Sequence, residues 1–349
     1  MLLARRVRIA IFGLLSLLLF AACGSSSSPG SGGTVTLNLG YFANLTHSVA
    51  LVGVGNGTFK KDLGSGVNLQ TKTFNAGPAE IQALLAGSID IAFVGPAPAV
   101  NGYTQSHNAA LKVIAGASSA GVQFVIQGNS TITTPADLAN KKLATPQKGG
   151  TQDVALRHYL QQNGLTTNDK GGNVQITSTD NANILNLFKE GKIDGAWMPE
   201  PWATRLIVEG KGKAFLNEKT LWPGGQFATT IIVVRQAFYT AHTDLVKKFL
   251  ESDINVVQYI KANPTQAQQI ANDQIKAITG SPVKADELPI AFGDLEVTYD
   301  PLASTITEQA NRSFSLGFVS SKPDLAALYN LGPLNEVLSA KGLATIATS

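Results

Sequence analysis

Gly87-Ser88-Ile89-Asp90-Ile91-Ala92-Phe93 and Gly191-Lys192-Ile193-Asp194-Gly195-Ala196-Trp197 are two versions of one pattern, 104 residues apart. The offset holds in both directions. Ala99 falls on Ala203, and Leu39-Gly40-Tyr41 falls on Leu143-Ala144-Thr145. Two copies are too few for a solenoid, which stacks at least three units to bury a continuous core. Two copies of an α/β unit predict two similar lobes, with a cleft between them as the natural place for a ligand.

Outward from the first copy, Val35 to Phe42 alternates apolar and polar residues and reads as a strand. His47 to Asn56 reads as a helix and Asn68 to Phe74 as a second strand. Pro78 suits a first helical position, and Gly87 stops the helix that follows. Ile89 to Val94 is nearly all apolar, as expected of a strand covered on both faces. The order β-α-β-α-β implies parallel strands with right-handed crossovers. It restarts after Leu138: Lys142 to Thr145 strand, Thr151 to Asn163 helix, Val174 to Thr177 strand, Asn181 to Glu190 helix, Ile193 to Trp197 strand. Thr229 to Val234 is a further β-rich run. Helices are then expected over Thr243 to Ile260, Thr265 to Thr279, Lys284 to Phe292 and Leu302 to Leu316, with shorter ones over Leu325 to Tyr329 and Leu334 to Ser339. The fold class predicted is α/β with two lobes, each a mainly parallel sheet flanked by helices. The first lobe takes residues 34–119 and 232–349, the latter a largely helical return, and the second takes 120–231.

The N-terminus reads as an export signal over residues 1–22. Arg5, Arg6 and Arg8 precede an apolar stretch from Ile9 to Phe20, too short to span a bilayer comfortably. Phe20-Ala21-Ala22-Cys23 resembles a bacterial lipobox, although Phe20 replaces the usual leucine. Cys23 is the only cysteine of the 349 residues, and lipidation there is expected. Residues 23–33 would then be the anchor and its leash, since Gly24 to Gly33 holds only Ser, Gly and Pro. Such a protein is exported and held on the outer face of the cytoplasmic membrane. Arg5, Arg6 and Arg8 account for the whole formal net charge of +3, so the chain beyond them is neutral overall. With no basic stripe, nucleic acid is not an expected partner. With Cys23 lipidated, no disulfide or thiolate metal site is expected. No catalytic set, metal or cofactor is expected either, and the protein is expected to be a monomer.

In open α/β sheets, ligands bind beyond the carboxyl ends of the strands, where helices begin. In the first lobe those loops offer Phe42, Asn44, Thr46 and His47 after the first strand, Asn75 and Ala76 after the second, and Gly95 and Pro96 after the repeated strand. In the second lobe they offer Lys148, Gly150, Thr151 and Gln152, then Glu200 and Trp202. Free N–H groups at helix N-termini favour anions. Each polar residue also has a plainer use: Asn44, Thr46 and Thr151 can act as helix caps, His47 and Lys148 can be solvated, and Trp197 can be core. Trp202 and Trp222 are candidate pocket walls.

Tyr41-Phe42-Ala43-Asn44-Leu45-Thr46-His47, Thr73-Phe74-Asn75-Ala76-Gly77-Pro78-Ala79-Glu80, Ile89 through Pro98, and Pro199-Glu200-Pro201-Trp202 resemble the substrate-binding lipoproteins of ABC importers for aliphatic sulfonates, taurine and nitrate. Leu221-Trp222-Pro223-Gly224-Gly225 and Thr298-Tyr299-Asp300-Pro301-Leu302 extend the resemblance over essentially the whole mature chain. It implies a type II periplasmic-binding-protein fold that closes on a small anionic, sulfonate-like ligand and delivers it to ABC permease subunits. Other ligands carried by such relatives include nitrate, bicarbonate and pyrimidine or thiamine precursors. Lys148 departs from the uncharged residues usual at its position. An enzyme on the same fold is the competing class. The pyrimidine synthases that resemble this family use cysteine and histidine groups, and His47, His107, His158 and His242 form no close pair in sequence.

Overall fold

The computed structural model describes residues 33–347, so the expected signal, Cys23 and most of the leash lie outside the described residues. Eleven strands form two sheets. They are β1 Val35–Phe42, β2 Val67–Phe74, β3 Ile91–Val94, β4 Leu111–Ala120, β5 Val122–Gln127, β6 Lys142–Thr145, β7 Gln175–Ser178, β8 Gly195–Pro199, β9 Gly212–Asn217, β10 Ala228–Arg235 and β11 Leu295–Val297. The first sheet runs β11-β4-β10-β3-β1-β2 and the second β7-β6-β8-β5-β9.

The repeat is written into the hydrogen bonds. In the first sheet Leu39 pairs with Ile91 and Gly40 with Ala92; in the second Leu143 pairs with Gly195 and Ala144 with Ala196. All four positions shift by 104. Asp90 accepts the Asn38 N–H at 3.0 Å, and Asp194 accepts the Lys142 N–H at 2.7 Å. In return the Asp90 N–H donates to the Asn38 carbonyl and the Asp194 N–H to that of Lys142. Gly87 and Gly191 end the helices Gly77–Leu85 and Asn181–Lys189 at φ 73° and 65°. These are left-handed C′ positions that glycine fills without the Cβ penalty.

The central strands of both sheets are buried on both faces by alternation. Ile91 and Phe93 of β3 join one core cluster while Ala92 and Val94 join another. In β8, Trp197 faces one cluster, and Ala196 and Met198 face the other. Parallel pairing holds for β2-β1-β3 and for β7-β6-β8, as the crossovers demand. The remaining pairings are antiparallel, so each sheet is mixed rather than mainly parallel. The cause lies in β4, β5, β9 and β11, four strands the sequence reading missed, and in the route of the chain. β4 hands directly to β5 through Gly121 at the lobe crossing, and β10 brings the chain back between β3 and β4. β10 already pairs in the first sheet from Ala228, short of the return expected at residue 232.

Leu325 to Tyr329 is not the expected helix. The Val113 N–H donates to the Leu328 carbonyl and the Asn330 N–H to that of Val113, so the edge of β4 captures this backbone while Leu328 fills the core. Among the described residues no helix is long and apolar enough to cross a membrane.

Candidate functional site

A cleft between the two lobes holds about 440 Å³ of empty space, part of it open to solvent. The cleft gathers Phe42, Asn44, Thr46, His47, Asn75, Ala76 and Gly95 from the first lobe and Gly150, Thr151 and Gln152 from the second. Gly77, Gln147 and Pro199, which stand in the strand-end loops read from the sequence, and Pro98, Pro146, Asn181, Thr229 and Thr230, which sequence reasoning missed, complete its walls. The repeat could have found several of them. Pro146, Asn181 and Pro199 lie 104 residues beyond Phe42, Gly77 and Gly95.

Four helix N-termini open on this space: Gly77–Leu85, Pro96–Gln105, Thr151–Gln162 and Asn181–Lys189, and none carries a side-chain cap. Thr151 is therefore no cap. It is the first residue of its helix, and its Oγ1 is buried without a hydrogen-bond partner. Asn181 Oδ1 and Thr230 Oγ1 are likewise buried and unpartnered. An unmet buried polar atom costs about 1–3 kcal/mol, so three such atoms facing one cleft mark a place where a polar ligand would repay that cost. The lobes meet closely here: a Cβ on Gly95 would collide with Thr151 Oγ1 across the cleft.

His47 is buried, and its Nδ1 accepts the Phe42 N–H at 3.3 Å. Its proton therefore sits on Nε2, and the ring leans on Phe42 with centroids 4.2 Å apart. Burial pushes its pKa down to about 3, so at neutral pH it is a neutral hydrogen-bond donor. The cleft lining then contains no charged side chain.

Four of the expected site residues lie elsewhere. Lys148 is exposed and pairs with Asp169 at 2.9 Å, lining a separate cavity with Arg157 and Phe318. Its neighbour Gln147 lines the cleft instead. Pro96 is buried as the first residue of its helix, behind Gly95. Trp202 donates its indole N–H to Asn44 Oδ1 at 2.8 Å, and the Arg205 guanidinium stacks on its ring. It ties the lobes together behind the cleft instead of lining it. Trp222 is buried too, stacked on Phe227 and bonded to Glu218.

Glu200 sits in the lobe crossing. Its N–H donates to the Gly121 carbonyl, and its carbonyl accepts the Leu45 N–H. The carboxyl is fully buried and takes hydrogen bonds from Gln123 and the Thr204 N–H. Burial pushes its pKa up to about 8 against those bonds. Gln123 and Asn217 of the second lobe also donate to Asp294 of the first. Among the described residues no cluster of His, Cys, Asp and Glu could hold a metal ion.

Residues 30–273 match the NMT1-like family. The chain belongs to that family. Its relatives include the taurine-binding periplasmic protein of Escherichia coli, 27% identical over 272 residues that cover 76% of this chain and 79% of the relative. Among solved structures, the alkanesulfonate-binding protein SsuA of Xanthomonas axonopodis bound to MOPS superposes with a TM-score of 0.71 at 17% identity, covering 86% of this chain and 99% of its own. The nitrate-binding protein NrtA of Synechocystis gives 0.68 at 16% identity, covering 88% and 89%. The NMT1-like chain thus has the two-lobed α/β fold of periplasmic binding proteins.

Proposed function

We propose that this protein is the extracytoplasmic substrate-binding component of an ABC importer, anchored to the membrane through a lipid on Cys23. It captures a small organic oxyanion, a sulfonate, between its lobes and delivers it to the permease. The observation that carries this reading is the convergence of four uncapped helix N-termini and three unpartnered buried polar atoms on one uncharged cleft. Helix N-termini stabilise anions without any basic side chain. Thr151 and Asn181 would grip the oxygens, and Phe42 would lie against the organic tail. The relatives' ligands agree with this chemistry.

Calorimetry against a panel of alkanesulfonates tests it. Hydrogen bonds to a charged group contribute about 1.5–3 kcal/mol. Thr151→Ala and Asn75→Ala should therefore each weaken binding roughly ten- to a hundredfold. Heat with nitrate and none with any sulfonate would replace the ligand while keeping the receptor. Wild-type affinity in both variants would move the anion site away from these helix starts.

A further inference from the structure

Resting on the sulfonate reading above, we infer that the cleft selects sulfonates with an uncharged tail and rejects those carrying an ammonium group, taurine among them. The inference comes from the acids. None of the side chains lining the cleft is a carboxylate. The acids nearest in sequence to its walls are engaged or turned away. Asp153, one turn into the helix that starts at Thr151, accepts from Thr145, from the Gly149 N–H and from Arg157 on both oxygens. Glu80 is fully buried against Gly40 of β1, its carboxyl oxygens without partners, and does not line the cleft. Glu200 is held by Gln123 and Thr204 in the crossing. Asp180 is exposed and opens on an adjoining surface cavity, which shares Asn75, Ala76, Pro146 and Gln147 with the cleft but not Thr151, Asn181 or Thr230.

The field points the same way. Four helix N-termini place their positive ends around one space, which holds a sulfonate and repels an ammonium. Asn44 Oδ1, a neutral acceptor of the lining, is already taken by the Trp202 indole. An ammonium brought into the cleft would lose its hydration and gain no counter-charge, a cost that neutral oxygens repay only in part. The same cleft satisfies the sulfonate end of either molecule, so discrimination falls on the far end alone.

Ethanesulfonate and taurine form the matched pair: the same head and the same two carbons, with and without the ammonium. In calorimetry on the purified protein, ethanesulfonate should bind at least tenfold tighter than taurine, and propanesulfonate should keep that margin over 3-aminopropanesulfonate. Equal binding, or tighter binding of the amino compounds, overturns the inference while the sulfonate reading stands. Heat from none of the four overturns both. Asn181→Asp then tests the cause, because it sets a carboxylate at the cleft wall: the margin should shrink at least fivefold, with ethanesulfonate weakened. A folded Asn181→Asp protein that keeps the wild-type margin overturns the electrostatic explanation. Asp180→Asn should leave the margin within twofold; a larger change means that the outer acid reads the tail, which also overturns it.

Discussion

The two halves of the repeat share a backbone and differ in what they show the ligand. Strand register, the aspartate clasp and the helix-ending glycine coincide at positions 104 apart. The cleft is built from matched positions as well: Phe42 with Pro146, Thr46 with Gly150, His47 with Thr151, Gly77 with Asn181, Gly95 with Pro199. At these positions the first lobe supplies two rings and two glycines. It also supplies one hydroxyl, that of Thr46, while the second supplies two prolines, a glycine, a hydroxyl and an amide. Equivalent geometry thus carries unequal chemistry: the first lobe brings the aromatic rings, and the second brings two of the three unpartnered polar atoms. That division suits a ligand with an oxyanion head and an organic tail.

The widest divergence between equivalent positions is Pro96 against Glu200. Pro96 begins a helix, whereas Glu200 is a buried carboxyl in the crossing. A group with its folded pKa near 8, above the ordinary 4.5, binds a proton more tightly in the folded state. Its contribution is full below about pH 4.5 and is lost as pH rises toward 8. Between pH 5 and pH 8 the loss should reach roughly 3–4 kcal/mol, at 1.36 kcal/mol per unit and with the folded group half ionised at pH 8. Chemical denaturation at both pH values should show wild type losing that much relative to Glu200→Gln, which keeps the shape without the charge. Parallel pH profiles for the two proteins would mean that water reaches this carboxyl.

The aspartate clasp is the next comparison to strain. Asp90 is buried and also holds Arg235 at 2.6 Å, which reaches it from the end of β10. Asp194 keeps only the backbone half of the arrangement and is partly exposed. Removing one partner of a buried pair strands the other, at roughly 3 kcal/mol for a pair whose arginine is partly solvated. Losing a backbone bond costs about 1 kcal/mol. Asp90→Ala should therefore destabilise by about 3 kcal/mol and Asp194→Ala by about 1 kcal/mol. Equal losses in denaturant would show that the Arg235 pair adds nothing.

What the sequence revealed follows from which signals are local. Val35–Phe42 and Lys142–Thr145 were readable to the residue because alternation and flanking turns are short-range. Apolar periodicity likewise located the helices Thr151–Gln162 and Asn181–Lys189 to within a residue. β4 and β9 were not readable: Ala115 to Ala120 is a run of small residues whose strand state comes from β10 and β11 on either side. Tertiary capture of this kind leaves no local pattern, and it also explains the false helix at Leu325 to Tyr329. In the site, the strand-end rule found the loops but not the direction of each side chain. Lys148 and Trp202 stand in the right loops and face elsewhere, because Asp169 holds Lys148 at a separate cavity and Asn44 of the lining takes up the Trp202 indole N–H.

The last pair to test is His47 against Thr151, and there the expected effect is none. A histidine with an ordinary pKa would become cationic as pH falls through 6.5 and tighten an anion in its cleft. His47 is buried, spends Nδ1 on the Phe42 N–H, and titrates near 3. Thr151 does not titrate, and a sulfonate stays ionised throughout this range. Affinity for a bound alkanesulfonate should therefore change less than twofold between pH 5 and pH 8, measured calorimetrically in buffers of matched ionic strength. Tightening of tenfold or more toward pH 5, abolished by His47→Gln, would show a proton entering the cleft with the ligand. The first lobe would then supply charge as well as a ring, and the division of labour between the two lobes would have to be redrawn.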